Sequence, residues 1–345
     1  MEKVLFLKSA KEAPKNTVII DVFLPSLKEL FFIEHPNLKK EMPEAQAALK
    51  NFLTANQIEG VWIYYPWANK LVHTLPEDLY FKLRTARNKN IISEEEQNKY
   101  RNLKIGIAGL SVGSSILGAL VQSGGPKVLK IADPDNIEVT NLNRISATLL
   151  NAEENKTQVA ARRALEIDPF AEIFTYEQGV NEDNLKTFIL GSATESNIDI
   201  FIDEMDNVHL KILARFVCKE NKIPVIMATD NGDGIILDIE RFDLEPERQV
   251  FHGLLGDVKL DSFKNIDKKE WVALAMKIIG EEYMPARLVE SLRAIGSELA
   301  GVAQLAGAAN IAGSIVALMV RQIANGEGLN SGKYILGPEN LCKKI

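Results

Sequence analysis

K-I-G-I-A-G-L-S-V-G-S (Lys104–Ser114), then V-L-K-I-A-D-P-D (Val128–Asp135), then T-N-L-N-R (Thr140–Arg144) is the stretch that decides the fold class of this chain. An apolar run enters a glycine turn and a helix, a second apolar run ends in two acids, and a polar loop closes on an arginine. That order of parts predicts a nucleotide pocket. The glycine turn lets backbone N–H groups approach phosphate at a helix N-terminus, where the dipole favours an anion. An acid about 20 residues on, at the tip of the next strand, is placed to bond a ribose hydroxyl.

Working outward, strands and helices alternate from Leu103 onward. Strands are predicted at Lys104–Ala108, Val128–Ala132, Glu172–Tyr176, Ile198–Ile202 and Pro224–Met227, with an additional one at Gly234–Arg241. Helices fall between them at Ser114–Ser123, Lys156–Ile167, Asp183–Ile189 and Val208–Lys222. This alternation marks an α/β fold, a Rossmann-like, mostly parallel sheet flanked by helices. Residues 243–295 are charged and irregular apart from a helix near Lys268–Ile279. Residues 1–98 have a different texture and form a small N-terminal α+β domain. It has a strand at Thr17–Phe23, an amphipathic helix at Pro43–Ala55, and strands at Gly60–Tyr65 and Leu71–Thr74 around a turn at Pro66–Asn69. Trp62, Tyr64, Tyr65 and Trp67 lie close together there, either as core or as a place to dock a partner. Arg87–Arg101, with Glu94, Glu95 and Glu96 in succession, reads as a solvated connecting helix, and residues 99–345 make up the second domain.

A net charge of −7 and a pI near 5.4 argue against a nucleic-acid surface, which needs a basic face. Cys218 and Cys342 are the only cysteines, too few for a disulfide framework or a zinc site built from two Cys pairs. The first twenty residues carry Lys3, Lys8, Lys11 and Lys15 with no apolar core between them, so no secretory signal is expected and a cytoplasmic location follows. Leu299–Val320 carries no charge and is long enough to cross a bilayer. Its Ala and Gly content, interrupted by Gln304, Asn310 and Ser314, fits a buried helix pair better than a membrane span.

Gly109-Leu-Ser-Val-Gly113 supports two chemistries. It matches the G-x-S-x-G nucleophile elbow, with Ser111 as nucleophile and His209 or His252 as the only downstream histidines. That assignment leaves the acid-tipped second strand and the N-L-N-R loop without a role. As a phosphate turn the same residues explain more positions, although G-x-S-x-G lacks the full G-x-G-x-x-G spacing. A non-catalytic nucleotide-binding scaffold and an NAD-dependent oxidoreductase on the same fold also remain open.

The segment I-A-D-P-D-N-I-E-V-T-N-L-N-R (Ile131–Arg144) resembles the D-x-D…N-L-N-R signature of ThiF-like adenylyltransferases and ubiquitin-activating enzymes. Further similarities keep the family's order: Lys156 in N-K-T-Q-V-A-A, Asp168-Pro169, Asp206-Asn207 in E-M-D-N, and upstream R-T-A-R-N (Arg84–Asn88). The resemblance covers about residues 84–240 well and the final helices more loosely, and it is strongest to bacterial stand-alone members.

Several functional expectations follow from the resemblance. Such enzymes join ATP to a carboxylate of a peptide or ubiquitin-like protein, giving an acyl-adenylate and pyrophosphate. The resemblance implies that Gly109, Ser111 and Gly113 form the phosphate turn, that Asp133 holds the ribose, and that Asp135 supports the loop or the metal. Asn141, Asn143 and Arg144 would position phosphate oxygens, Lys156 would supply a point charge, and Asp206 would bind Mg²⁺. Three acids in one turn, Asp203, Glu204 and Asp206, would favour a cation. Arg87 would reach a second subunit's site, which requires a homodimer. One departure is the absence of any cysteine from residues 228–300, the segment that would cross over the substrate (about 228–295). Acyl transfer to an enzyme thiol is therefore not expected, and Cys218, in R-F-V-C-K-E, reads as a packed thiol.

Overall fold

Runs of β-branched residues and amphipathic helices organise the chain into two compact units, residues 1–94 and 95–345. The computed structural model describes residues 3–55, 57–256 and 267–337. Cys342 and residues 257–266, inside the expected crossover segment, lie outside the described residues.

In the first unit, β1 (Leu5–Leu7), β2 (Val18–Asp21), β3 (Val61–Tyr65) and β4 (Lys70–Thr74) form a sheet of order β1-β3-β4-β2. β3 and β4 are an antiparallel hairpin closed by the turn at Pro66–Ala68, and Asn69 takes a left-handed conformation that asparagine tolerates. The strand expected to run to Phe23 stops at Asp21. Phe23 instead opens α1 (Phe23–Glu34), which buries Leu27, Leu30 and Phe31; α2 (Pro43–Ala55) and α3 (Glu77–Arg84) follow in chain order. Of the four clustered aromatics, Tyr64 and Tyr65 are buried. Trp62 stacks on His73 with 4.1 Å between ring centres, and Trp67 meets Tyr65 edge-on.

The second unit begins with α4 (Glu94–Asn102). This helix is not simply solvated: Gln97, Tyr100 and Arg101 are buried, and Arg101 Nη1 lies 2.9 Å from Asp168 Oδ2. The sheet comprises β5 (Lys104–Ala108), β6 (Val128–Ala132), β7 (Glu172–Tyr176), β8 (Ile200–Asp203), β9 (Val225–Asn231), β10 (Gly234–Glu240) and β11 (Gly332–Leu336). Its order is β11-β10-β9-β8-β5-β6-β7. The five strands from β9 to β7 are parallel, and β10 and β11 add antiparallel to that edge. Ile105, Ile107, Ile131, Ile200, Phe201 and Ile202 are fully enclosed, because a parallel sheet is covered by helices on both faces. The helices that follow α4 in this unit are α5 (Val112–Gln122), α6 (Lys156–Ile167), α7 (Leu185–Leu190), α8 (Val208–Glu220), α9 (Lys268–Ile279), α10 (Ala286–Ala294) and α11 (Ala306–Asn325).

The uncharged run at Leu299–Val320 is not a helix pair. One helix, α11, begins at Ala306 and packs along α5. Long and apolar enough to span a membrane by length and composition, it buries Ala308, Ala309, Ala312, Gly313, Val316, Ala317 and Val320. The two backbones touch: a Cβ on Gly313 would sit 2.7 Å from the Ser115 carbonyl oxygen.

Candidate functional site

Four neighbouring strands bring their carboxyl ends to one edge, in the spatial order Asp230 (β9), Asp203–Asp206 (β8), Gly109–Ser111 (β5) and Asp133–Asp135 (β6). Open α/β sheets bind ligands at such an edge. Gly109 makes the turn possible, with φ +93° and a backbone so close to the next loop that a Cβ would lie 2.2 Å from the Glu204 carbonyl oxygen. α5 then starts at Val112, and its N-cap, Ser111, offers no side-chain bond to the first-turn N–H groups. Those donors have no partner within the helix, so they and the dipole suit an anion.

Ser111 Oγ accepts a hydrogen bond from Arg144 Nε at 2.9 Å. The histidines a hydrolase would need are engaged elsewhere, His209 with Glu182 and His252 with Asp238 and Arg248. The nucleophile-elbow interpretation therefore fails: Ser111 faces a cation in place of a base.

On the β6 side, Asp133 is 5% exposed and turned inward. Its Oδ2 accepts from Leu110 N–H at 2.7 Å and its Oδ1 from Asp135 N–H at 2.9 Å, which ties the acid-tipped strand to the glycine turn. Burial pushes its carboxyl above the usual range, against the pull of Lys156 and those two N–H groups. The Asp135 side chain is 67% exposed, and its Oδ2 lies 2.8 Å from Lys156 Nζ, which is 3.5 Å from Asp133 Oδ1. Lys156 opens α6 behind the N-cap Asn155, whose side chain accepts from Thr157 N–H. A lysine at the positive end of a helix is awkward alone; here the two aspartates offset it.

In the N-L-N-R loop, Asn141 is buried and its Oδ1 accepts from Glu138 N–H at 3.1 Å, so it shapes the loop from within. Asn143 Nδ2 donates to the Gln304 carbonyl at 2.9 Å, while its Oδ1 accepts from Arg144 Nη1 at 2.9 Å. Gln304 Nε2 in turn donates to Asp230 Oδ2 at 3.0 Å. Burial lowers the Arg144 pKa, opposed by the carboxylates of Asp230, Asp206 and Glu138 around it.

The three acids after β8 do not converge on one cation. Asp203 is fully buried and paired with Arg215 and with Lys211 at 3.1 Å. Burial would raise its pKa, and the two cations overcome that and hold it low. Arg215 also bonds Glu240 and lies 3.8 Å over the Phe251 ring. Glu204 turns to the β9 backbone and accepts from Ala228 N–H at 2.9 Å, with burial raising its pKa well above the ordinary value. Only Asp206 is exposed, its carbonyl fixed by Trp271 Nε1 at 3.0 Å. Among the described residues no three acids, histidines or cysteines gather as a metal cluster. Arg87 is exposed in a one-turn helix, Ala86–Asn88, of the N-terminal unit. Sequence reasoning missed Asp230 and Gln304. The predicted strand ended at Met227, three residues short of Asp230, and Gln304 lay in a supposed helix.

The ThiF family model matches residues 84–334. An uncharacterized protein of Mycobacterium tuberculosis (strain CDC 1551 / Oshkosh) is 35% identical over 272 residues, 79% of this chain and 37% of that protein, so the chain spans little more than a third of its length. The tRNA threonylcarbamoyladenosine dehydratase of Bacillus subtilis (strain 168) is 24% identical over 63% of this chain and 82% of its own. Among solved structures, the Escherichia coli tRNA N6-threonylcarbamoyladenosine dehydratase in complex with AMP superposes with a TM-score of 0.51 at 19% identity. It covers 71% of this chain and 95% of its own. PaaA gives 0.51 at 19% over 76% and 77%. These structural likenesses establish a shared Rossmann-like fold. With the family model spanning most of its length and the D-x-D and N-L-N-R segments meeting at one sheet edge, this chain belongs to the ThiF family.

Proposed function

We propose that this protein is an ATP- and Mg²⁺-dependent adenylyltransferase that activates a carboxylate of a peptide or ubiquitin-like protein, giving an acyl-adenylate and pyrophosphate. One observation carries the reading: the uncapped start of α5 behind Gly109 is flanked by Arg144 and Lys156 and by outward acids at Asp135 and Asp206. ATP needs both signs in that arrangement, cations for its phosphates and carboxylates for its ribose and metal. The resemblance gave the ribose to Asp133; since both Asp133 oxygens serve the backbone, we assign the ribose to Asp135 and the bracing of the turn to Asp133. Asn141 likewise braces the loop, and Asn143 and Arg144 face the phosphates. The donor set suits Mg²⁺, which keeps water and phosphate oxygens and takes one or two carboxylates, here Asp206. The ion would screen charge on the phosphates.

A substrate carboxylate oxygen forms the new bond to the α-phosphorus, and the bond to the pyrophosphate oxygen breaks with its electrons. Arg144 and Lys156 offset the charge that gathers on the departing group. Arg87, exposed in the N-terminal unit, would join from a second copy, so the reading requires a homodimer. Cys218 is fully buried, and burial pushes its thiol well up, which fits acyl transfer without an enzyme thioester.

Calorimetry with ATP–Mg²⁺ and with NAD tests the reading. ATP binding that falls at least about tenfold in Arg144→Ala is expected. Tight NAD binding without ATP binding overturns it in favour of an oxidoreductase. Pyrophosphate exchange across candidate peptides and Gly-Gly-ending proteins, lost in Asp206→Ala, tests the chemistry; no ATP turnover with any acceptor would leave a scaffold.

A further inference from the structure

Asp206 carries an exposed carboxylate on the connector between β8 and α8, close enough to Arg144 to act on it electrostatically. Its own carbonyl lies outside the hydrogen-bond ladders of both elements. The backbone around it is nevertheless held at three points. Glu204 N–H, two residues earlier, donates to the Ala108 carbonyl at 2.7 Å, beside the glycine turn. Asn207, directly after it, caps α8 by accepting from Leu210 N–H at 3.1 Å. The third point comes from far along the chain, where Trp271 Nε1 donates to the Asp206 carbonyl at 3.0 Å. Trp271 lies near the start of α9, which opens on a capping box between Asp267 and Glu270. The α9 residues Trp271, Leu274 and Ile278, spaced to share one helix face, pack with the apolar cluster that includes Val208, Ile212 and Phe251. At the other end of α9 the Ile278 and Ile279 carbonyls accept from Lys333 Nζ of β11, the second at 2.9 Å. The helix is thus tied at both ends. Packing keeps the indole in place, so its N–H, a donor only, is offered at a fixed point. A carboxylate on a short connector points where its backbone points, and here the indole bond governs that direction.

Resting on the adenylation reading, we infer that Trp271 is a positioning residue for the proposed metal carboxylate: by holding the Asp206 carbonyl, its indole N–H keeps the Asp206 side chain facing the phosphate side of the edge. Trp271 acts through Asp206 and does not itself hold the nucleotide. The segment expected to cross over the substrate thereby sets the metal turn from outside the sheet.

Calorimetry on the full chain tests this, with ATP titrated once in Mg²⁺ and once in EDTA. The ratio of the two affinities is the gain that Mg²⁺ confers, and Asp206→Ala is expected to abolish it. Trp271→Phe keeps an apolar ring and removes the N–H. It is expected to shrink the gain about threefold, the worth of one partly exposed neutral hydrogen bond, while ATP affinity in EDTA stays within about twofold. A gain left at its unaltered size in Trp271→Phe, whether or not ATP itself binds more weakly, overturns the inference and leaves adenylation standing. A gain missing from the unaltered chain, or surviving Asp206→Ala, overturns the Mg²⁺ assignment together with the inference. Nuclear magnetic resonance supplies a second measurement. Trp62, Trp67 and Trp271 are the only tryptophans, so Trp62→Phe and Trp67→Phe identify the Trp271 indole N–H signal by elimination. ATP with Mg²⁺ is expected to move that signal further than ATP alone; equal movement overturns the inference. Should Trp271→Phe unfold, this signal decides.

Discussion

Replacing Gly109 with alanine puts the construction of the site under direct test. Two constraints meet at this residue. Its φ of +93° is left-handed, which costs an alanine about 1–2 kcal/mol. The new Cβ would also lie 2.2 Å from the Glu204 carbonyl oxygen, 2.4 Å from its carbon and 3.0 Å from Met205 N. These are backbone atoms, so no side chain can swing aside, and the 204–206 turn must withdraw by about 1 Å. Overpacking of that kind costs about 1–3 kcal/mol. Gly109→Ala is thus expected to lower the stability of the 95–345 unit by about 2–5 kcal/mol and to weaken ATP–Mg²⁺ binding, because Asp206 rides on the displaced turn. Gly118→Ala is the matched control. It lies in the middle of α5, the helix that follows the turn, with no atom within 4 Å of the added methyl, and a gain of about 0.5–1 kcal/mol is expected. Urea unfolding followed by circular dichroism, with an ATP titration of each variant, reads both effects. If Gly109→Ala unfolds at the wild-type midpoint and binds ATP normally, the close approach of the two turns is not what fixes this site.

Three further outcomes are expected. Burial raises the Glu204 pKa in the folded chain, so its charged form costs stability at neutral pH and that cost is relieved as pH falls through the raised value. Glu204→Gln, which keeps an oxygen for Ala228 N–H, should raise the urea midpoint at about pH 7.5 and lose the advantage near pH 4, below the ordinary glutamate value. An equal benefit at both pH values would show that charge is not the cause. Arg215→Leu strands the buried Asp203 and Glu240 carboxylates and should cost about 3–5 kcal/mol, measured in the same denaturation; a change below about 1 kcal/mol would mean that they are neutral. With ATP and an activating peptide, no thiol-sensitive peptide–enzyme adduct should form, since Cys218 is buried with its thiol pKa pushed well up; an adduct in the unaltered chain that Cys218→Ala abolishes would mark this thiol as the acyl acceptor.

The α/β architecture was legible because parallel strands covered on both faces need uninterrupted apolar runs, and β5, β6 and β7 coincide with the runs in the sequence. α6 and α9 also agree end to end, each announced by a capping residue, Asn155 and Asp267. α1 was not foreseen, since Pro25 in its first turn reads as a breaker, although a first-turn proline leaves no hydrogen bond unmade. β11 escaped because a five-residue edge strand is defined by its partner β10, far away in sequence. In the site, the D-x-D and N-L-N-R segments did come together, but which aspartate faces outward depends on Leu110 N–H, and no spacing rule carries that. The acids after β8 misled for a related reason. Asp203 is neutralised from Arg215, twelve residues on, in a pair that also needs Glu240 from β10.

The contact between Gly313 and Ser115 has a mechanical corollary. α5 begins at the turn expected to cradle phosphate, and α11 begins two residues after Gln304, which steadies Asp230. Because the two helices meet backbone to backbone, the start of α5 and the loop carrying Gln304 are tied to each other through the core. On the proposed adenylation, the distance between those two ends of the site would be set by this helix contact instead of by the surface loops. A bulkier side chain at position 313 would push the two helices apart without altering any residue at either end of the site.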